Sequence, residues 1–495
     1  MEPLQGPYDF LTCEAVVFHG TQSPRLRCRV LARLGTLIMT TVAFLGITAG
    51  AVAFLVYVLV QFRKDQNRTW PNHQSDGGPD STHVSKAQLG IVGSPNTPGM
   101  RRGRPNIPFG GGRIPGAAAL LLFIALSAVA QEVPSEEPHK LPLKREWHYG
   151  GFVDLGYLLD FNSPSNHLFR NRSTASKVNE LDLNIAGAYV KKEASQLSRW
   201  GMELTVHGGK DSEGFGFSAT APNMSGADWL RHFGLANVSY LAPVGNGLTV
   251  QAGLFSSLIG YDSLYAKDNF SYTRPWGADY TPYLMFGVNA SYPFNRKLSG
   301  TLFVINGYWH LAHANNVPSS GGQLAYKATE HLTFKETLLY GPHQSNTSLK
   351  FWRLFSDSIA EWKRDQVTAA FEYQIGTEDV AAPGSPRALW TAAQLPLHWA
   401  LHGPWSLTVR PEFCWDRDGR WTGSAQLVKA ITTTLEYRIP YRGTHTIVRV
   451  EHRYDDSRGK GGGFFNNGEV RPGVVGLTPT QHLLILGVIL TFDSS

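Results

Sequence analysis

The decapeptide IVRVEHRYDD occupies residues 447–456, near the end of the 495-residue chain. Successive side chains of a β-strand point to opposite faces, so a strand here separates its residues into two sets. From Val448 onward, one face carries only ionisable groups: Arg449, Glu451, Arg453 and Asp455. The other face is mostly apolar: Val448, Val450, His452 and Tyr454. Such a strand needs a polar environment on one side and an apolar environment on the other.

Similar alternation recurs from Trp147 to the end of the chain. Four clear cases are LTVQAGLF (248–255), VTAAFEYQI (367–375), SLTVRPEFCWD (406–416) and ITTTLEYRI (431–439). Repeated segments of about ten alternating residues are typical of transmembrane strands. Division at turn residues predicts about 16 strands, within a range of about 12–18. They fall near 147–161, 180–193, 199–209, 229–242, 247–257, 281–293, 297–309, 321–328, 331–341, 350–361, 365–375, 388–400, 404–414, 424–438, 444–454 and 480–492.

The connections between these strands alternate in length. Short turns such as APVGNG, PFNRK, TEH, ALHGP and IPYRG join each even strand to the next odd one. Most odd–even connections are long and polar: 162–179, 210–228, 258–280, 310–320, 376–387 and 455–479. A soluble sandwich gives no reason for this sorting. The pattern predicts an all-β fold over 147–495, a transmembrane antiparallel up-and-down β-barrel with short periplasmic turns and long external loops.

Charged side chains share one face on three consecutive predicted strands. An arginine facing lipid near the midplane costs about 2–4 kcal/mol, whereas opposite charges across strands stabilise by about 0.2–1 kcal/mol per pair. A charge-lined, water-filled lumen therefore suits these residues better than lipid. The solvated outer face of a soluble sheet is the alternative. The predicted pore-lining residues are Arg410, Glu412, Glu436, Arg438, Arg449, Glu451, Arg453 and Asp455.

The N-terminal part reads as targeting sequence. Residues 100–130 combine a basic patch, an apolar run and an Ala-Val-Ala site, which predicts a signal peptide, export through the periplasm and location in the bacterial outer membrane. Residues 131–146 form a charged periplasmic lead-in. Residues 1–99 contain a span-length hydrophobic stretch at 35–60. Either translation starts at Met100 and this extension is a mis-called start, or it anchors the chain in the inner membrane.

Charge and motifs argue against several classes of function. Residues 1–130 hold 12 Lys/Arg and 6 Asp/Glu, which accounts for the net charge of +6, so the rest of the chain is neutral and no nucleic-acid partner is expected. No nucleophile-elbow, zincin, dinucleotide or P-loop pattern occurs after residue 146. His398 and His402 would lie about 13 Å apart on a strand, too far to share a metal. We expect no enzyme activity, cofactor or metal.

Residues 251–274, QAGLFSSLIGYDSLYAKDNFSYTR, resemble a motif of the OmpL-like β-barrel porins of Gram-negative bacteria. The matching positions are Gly253, Phe255, Gly260, Tyr261, Asp262, Asn269, Phe270, Tyr272 and Arg274. The opening GGFVDLGYLLDFN (150–162) and the late EYR and VEHRYDD segments are also similar, so the resemblance covers roughly 147–495. It implies an outer-membrane pore.

The resemblance also suggests a role for the third long connection, 258–280. In general porins the third external loop folds inward and narrows the channel. By that analogy a constriction would hold Tyr261, Asp262, Lys267, Asp268 and Arg274. A loop that lies outward is the alternative.

Three functions remain open at this point. The first is a passive diffusion channel for small hydrophilic solutes or ions. The second is a barrel enzyme such as an outer-membrane hydrolase, and the third is a plugged structural or adhesin barrel without transport. Expected partners are membrane lipid and lipopolysaccharide, the barrel-assembly machinery and a small solute, and a homo-oligomer is compatible with the sequence.

Overall fold

The computed structural model describes residues 147–214, 227–308, 317–343, 351–380, 387–441 and 444–494. The predicted extension 1–99, signal peptide 100–130 and lead-in 131–146 lie outside the described residues. None of the helices in the described ranges is long and apolar enough to cross a membrane.

Strands dominate the described part of the chain, as the alternation predicts. Their bounds are β1 (Trp147–Asp160), β2 (Leu181–Lys192), β3 (Trp200–Gly208), β4 (Phe233–Ala242), β5 (Leu248–Ser256), β6 (Leu284–Pro293), β7 (Leu298–Ile305), β8 (Ser319–Lys327), β9 (Leu332–Pro342), β10 (Trp352–Arg364), β11 (Val367–Glu378), β12 (Ala388–Gln394), β13 (Leu397–Ala400), β14 (Trp405–Asp416), β15 (Gln426–Tyr441), β16 (Thr444–Arg458), β17 (Phe464–Arg471), β18 (Val474–Thr478) and β19 (Thr480–Asp493). Two short helical segments precede β4, α1 (Lys210–Gly214) and a 3-10 turn (Ala227–His232).

The strands close into one antiparallel barrel. Apart from β12 and β13, consecutive strands pair from β1 to β16, β16 pairs with β19, and β19 pairs back with β1. β12 and β13 both lie between β11 and β14, so together they form one of sixteen barrel positions. Pro396 separates them because proline cannot donate a hydrogen bond to the ladder. The predicted barrel of about 16 strands is confirmed.

One structural feature was not predicted from the sequence. The connection between β16 and β19, expected at 455–479, begins only after Arg458 and contains a separate hairpin of β17 and β18. This hairpin is not part of the barrel sheet. Its turn follows an NNG segment and contains Pro472-Gly473, residues that are typical of turns.

The two faces of the wall differ as the opening decapeptide suggests. On β16, the side chains of Arg449, Glu451 and Arg453 are 0% exposed, whereas Val450 between them is 47% exposed. Outward-facing apolar residues recur around the barrel, among them Leu183, Leu204, Val238, Val288, Leu302, Leu338, Phe371, Ile431, Leu435 and Leu486. An apolar exterior suits the hydrocarbon of a bilayer, which cannot hydrogen-bond to polar groups.

A single long connection fills much of the interior. Residues 257–283, between β5 and β6, are hereafter the crossing loop. Its side chains Tyr272, Trp276 and Tyr280 belong to a buried cluster that also includes Leu158 of β1 and Val428 of β15. Because the barrel is closed, a loop that packs on strands around its whole circumference lies inside it.

Candidate functional site

Glu451 of β16 holds the middle of the crossing loop. Its Oε2 atom accepts a hydrogen bond of 2.6 Å from the backbone N–H of Tyr272, and its Oε1 atom accepts one of 3.0 Å from the N–H of Thr273. The hydroxyls of Thr273 and Thr434 also donate to this carboxylate. Two adjacent backbone donors therefore converge on one buried carboxylate.

Arg449, two residues earlier on the same face, binds the loop through carbonyl groups. Its guanidinium donates to the carbonyl oxygens of Ala266 at 2.7 Å, Ser271 at 3.3 Å and Asn269. Its Nε atom donates to Glu436 Oε2 at 2.8 Å. A guanidinium with five fixed N–H donors can bind several acceptors at once, which a lysine cannot do in the same geometry.

Arg453 and two carboxylates hold the next part of the loop. Arg453 Nη1 donates to the carbonyl of Arg274 at 3.1 Å, and Arg453 Nη2 lies 2.9 Å from carboxylate oxygens of both Glu412 and Asp455. The backbone N–H of Trp276 donates to Glu412 at 2.5 Å, and its indole N–H donates to Asp455 at 2.7 Å. Positive and negative wall residues thus bind the loop backbone and each other.

The remaining predicted wall residues differ in exposure. Arg410 is buried, lies 3.5 Å from Glu412 and donates to the Thr432 hydroxyl at 3.3 Å. Arg438 lies near the short-turn rim, where its side chain is 48% exposed and pairs with Glu436 at 3.1 Å. The wall charges of β14–β16 therefore contact the crossing loop or one another, and their role as pore-lining residues stays a prediction.

Strands β10 and β11 hold the first part of the loop. Asp357 accepts a hydrogen bond of 2.8 Å from the N–H of Gly260, and Glu372 accepts one of 3.1 Å from the N–H of Tyr261. Gln394 of β12 donates to Glu372 at 2.5 Å. These wall residues were missed from the sequence, although inward polar positions on VTAAFEYQI offered a signal.

The loop also contacts the first strands of the barrel. The Tyr272 hydroxyl donates to Asp154 of β1 at 2.7 Å and accepts a hydrogen bond of 2.6 Å from the amide of Asn184 on β2. Asn184 and Asp154 are both buried. Tyr272 therefore connects β16, where its own N–H binds Glu451, with β1 and β2, which lie on the other side of β19 in the same part of the wall.

The end of the loop pairs with the connection between β1 and β2, residues 161–180. Arg172 Nε lies 2.7 Å from Asp279 Oδ2. Arg274 lies 3.9 Å from Asp211 of α1, which also accepts a hydrogen bond of 2.7 Å from the N–H of Ala175. Burial raises the pKa of Asp211 to about 7, and the Arg274 charge opposes that rise. Three long connections are thus joined on the side of the barrel away from the short turns.

On its other side the crossing loop borders an open cavity of about 560 Å³. The wall of this cavity is formed by β1 to β5 with the start of β6 and the end of β19, and it reaches the short-turn rim at His148, Glu193 and Ser494. Of the five predicted constriction residues, four line it: Tyr261, Asp262, Lys267 and Asp268. Arg274 does not, because it is buried beside Asp211.

The histidine pair of the HWALH segment forms no joint site. The ring of His398 stacks on Phe270 of the crossing loop, with centroids 4.1 Å apart and planes inclined by 9°. His398 also shares a hydrogen bond of 2.9 Å with the Thr408 hydroxyl, and His402 lies beyond the end of β13. Within the six described ranges, no group of three or more His, Cys, Asp or Glu side chains could hold a metal ion.

Comparisons with known proteins give a family and several fold relatives. The family model described as "Putative beta-barrel porin-2, OmpL-like" matches residues 146–492. No match was found among curated protein sequences.

The chain is also similar to several solved structures, including three proteins from different organisms. They are OmpF of Salmonella typhi in complex with daunomycin (11% identity, 70% of this chain, 97% of that chain, TM-score 0.46), the channel DcaP of Acinetobacter baumannii (11%, 70%, 96%, 0.45) and an anion-selective porin from Comamonas acidovorans (11%, 70%, 99%, 0.44).

Proposed function

The chain belongs to the OmpL-like β-barrel porin family, and we propose that it is a passive diffusion channel whose constriction is formed by the crossing loop. In this proposal the charges of β14–β16 position the loop, and small hydrophilic solutes pass along its open side. The residues at the narrow point are Tyr261, Asp262, Lys267 and Asp268, which border the cavity. Arg274 acts differently, as an anchor toward the long connections.

One observation carries this proposal. The backbone of the crossing loop is hydrogen-bonded to charged side chains on widely separated strands, including Asp357 on β10 and Glu451 on β16. Charge-assisted hydrogen bonds to backbone groups are about twice as strong as neutral ones, and buried carboxylates lose them at considerable cost. A loop fixed in this way gives the channel a permanent narrow section instead of a mobile lid.

Reconstitution of the purified chain into planar bilayers tests the proposal. The expected result is stepwise conductance that rises when Glu451→Gln weakens the attachment of the loop. The N–H groups of Tyr272 and Thr273 bind different oxygens of Glu451, and glutamine replaces one of these oxygens with an NH2 donor, so one loop N–H loses its acceptor. An equal conductance of the two proteins, with both folded, would show that the loop does not limit the flow.

A plugged barrel without transport is the second candidate. It is favoured by the burial of Tyr272 and Trp276 at the centre of the crossing loop and by the contacts of the Trp276 ring with Phe169 and Phe464 from two long connections. If the purified chain shows the heat-modifiable gel band of a folded barrel but gives no conductance steps in a planar bilayer, the plugged barrel is the correct candidate.

The location and partners of the channel follow from the same proposal. We place the barrel in the bacterial outer membrane, with the short turns toward the periplasm and the apolar exterior in contact with lipid and lipopolysaccharide. Insertion would need the barrel-assembly machinery, and the barrel is compatible with a homo-oligomer. We propose no catalytic activity, since the family consists of porins.

The N-terminal predictions remain part of this proposal. Export would use residues 100–130 as a signal peptide, with cleavage after Ala130, and 131–146 would precede the barrel. Mass spectrometry of the protein purified from outer membranes tests this. A mature N-terminus at Gln131 is expected, and retention of residues 1–99 would instead support a membrane anchor at 35–60.

A further inference from the structure

The cavity beside the crossing loop has an excess of negative charge. Its lining includes five carboxylates and two lysines, which gives a formal charge of −3 with His148 neutral. The carboxylates are Glu193, Glu203, Asp262, Asp268 and Asp493, and the lysines are Lys191 and Lys267. A cleft with one sign of charge and low-dielectric walls concentrates ions of the opposite sign.

Both lysines already have carboxylate partners. Lys191 lies 3.3 Å from Glu193, and Lys267 lies 2.8 Å from Asp268. For the other three carboxylates no ion pair is found within the described residues, although Asp262 accepts a hydrogen bond from Gln394 and Asp493 accepts one from Tyr189. Within the part of the chain that the structure describes, ion pairs therefore do not neutralise the excess charge of the cavity.

The ammonium group of Lys267 shows what kind of cation the wall of the cavity can bind. Lys267 Nζ lies 5.6 Å from the ring centroid of Phe152 and 5.9 Å from that of Tyr265, while it pairs with Asp268. Aromatic faces next to a carboxylate attract ammonium ions through both the ring quadrupole and the opposite charge. The remaining volume is within the range of small-molecule sites.

From this arrangement we propose that the cavity is a binding and selection site for small cations, in particular primary ammonium ions. The selection of cations during passage rests on the proposed function as a channel. The binding of a cation rests only on the cavity and does not require transport. Glu203, Asp262 and Asp493 attract the cation, and the rings of Phe152 and Tyr265 hold its ammonium group in competition with Lys267.

The first test is ion selectivity. With the purified chain in a planar bilayer under a potassium chloride gradient, the reversal potential should show potassium favoured over chloride by about threefold or more. Glu203→Gln removes one negative charge and should lower this ratio about twofold, whereas Lys267→Met removes a positive charge and should raise it about twofold. Glu330→Gln is the matched control, because Glu330 lies exposed in the short β8–β9 turn, outside the cavity.

The second test is binding without transport. Titration calorimetry of the folded chain with n-butylammonium chloride should detect binding that n-butanol does not show, and Lys267→Met should bind about threefold more tightly because the ammonium position is vacant. Binding together with an absence of conductance would support the site and overturn the proposed function. A chloride preference, or shifts of the same sign in both variants, would overturn the inference, as would equal binding of n-butanol.

Discussion

The two sides of the crossing loop use acidic residues in opposite ways. On the side of β14–β16, Glu451 is 0% exposed and both of its oxygens accept hydrogen bonds from the loop backbone. On the side of β1–β5, the side chain of Glu193 is 64% exposed and has a lysine partner at 3.3 Å. The first carboxylate fixes the loop, and the second is available to the cavity.

This comparison shows that an inward-facing charge does not by itself line a water path. A buried charge needs partners that replace its hydration, and the crossing loop supplies these with its backbone N–H and C=O groups. Where the loop leaves a gap, the charges keep their water and set the electrostatic potential of the opening. Four substitutions compare the two sides, in order of decreasing effect.

Arg449→Met should have the largest effect. It removes the donors for Ala266, Asn269 and Ser271 and leaves Glu436 without its buried partner. Loss of one member of a buried ion pair costs about 3–5 kcal/mol. Urea unfolding of the detergent-folded barrel should show this loss in the free energy of unfolding. If Arg449→Met lowers the free energy of unfolding no more than the loss of an exposed charge does, Arg449 does not anchor the crossing loop to β16.

Glu451→Gln should cost less, because glutamine keeps the shape of the side chain and one acceptor. The glutamine NH2 group replaces one acceptor oxygen, so one loop N–H is left without a partner, which costs about 1–3 kcal/mol. The same urea titration measures it, with Glu330→Gln as the control for an exposed site. Unchanged stability would contradict the anchoring role of Glu451.

Tyr261→Phe probes the start of the loop, where it passes from the anchored to the open side. The substitution removes the hydroxyl that donates to Glu361 Oε2 at 2.8 Å and leaves the ring in place. Because Glu361 is only half-buried and water competes for its carboxylate, we expect this hydrogen bond to contribute about 0.5–1.5 kcal/mol. The free energy of unfolding should fall by that amount, and Tyr261→Ala should cost more because the ring is lost as well. An equal effect of both would place the contribution in the hydroxyl alone.

Glu193→Gln should have the smallest effect on stability. It makes the same chemical change as Glu451→Gln, but at an exposed ion pair, where the change in unfolding free energy should stay below about 0.5 kcal/mol. Its expected effect is on ion preference, measured by reversal potential, because a negative charge is removed from the cavity. If Glu193→Gln and Glu451→Gln destabilise equally, the distinction between the two sides fails.

The wall of the barrel could be predicted almost completely from the sequence. Alternation is local, so each strand shows its own period, and the order of short and long connections follows directly along the chain. Only the break at Pro396 and the hairpin of β17 and β18 were missed. The charged strands were also found, because Arg449, Glu451 and Arg453 share a face in any β-strand.

The partners of those charges were not predictable in the same way. Trp276 binds Asp455 across 179 positions of sequence, and Gly260 binds Asp357 across 97. No periodicity relates such distant residues. The analogy with general porins predicts which loop folds inward, but it does not predict which wall residues that loop contacts. For the same reason Asp154, Asp357 and Glu372 were missed, and Arg274 was grouped with four residues that lie on the other side of the loop.

The decapeptide IVRVEHRYDD illustrates how the two kinds of information divide. Its alternation alone requires a two-sided environment, since a strand repeats every two residues whatever surrounds it. The surroundings themselves depend on closure of the barrel and on the path of the crossing loop. These bring Tyr272 and Thr273 to Glu451 and leave the acidic cavity on the far side, because burial and hydrogen bonding depend on distance in space and not on distance along the chain.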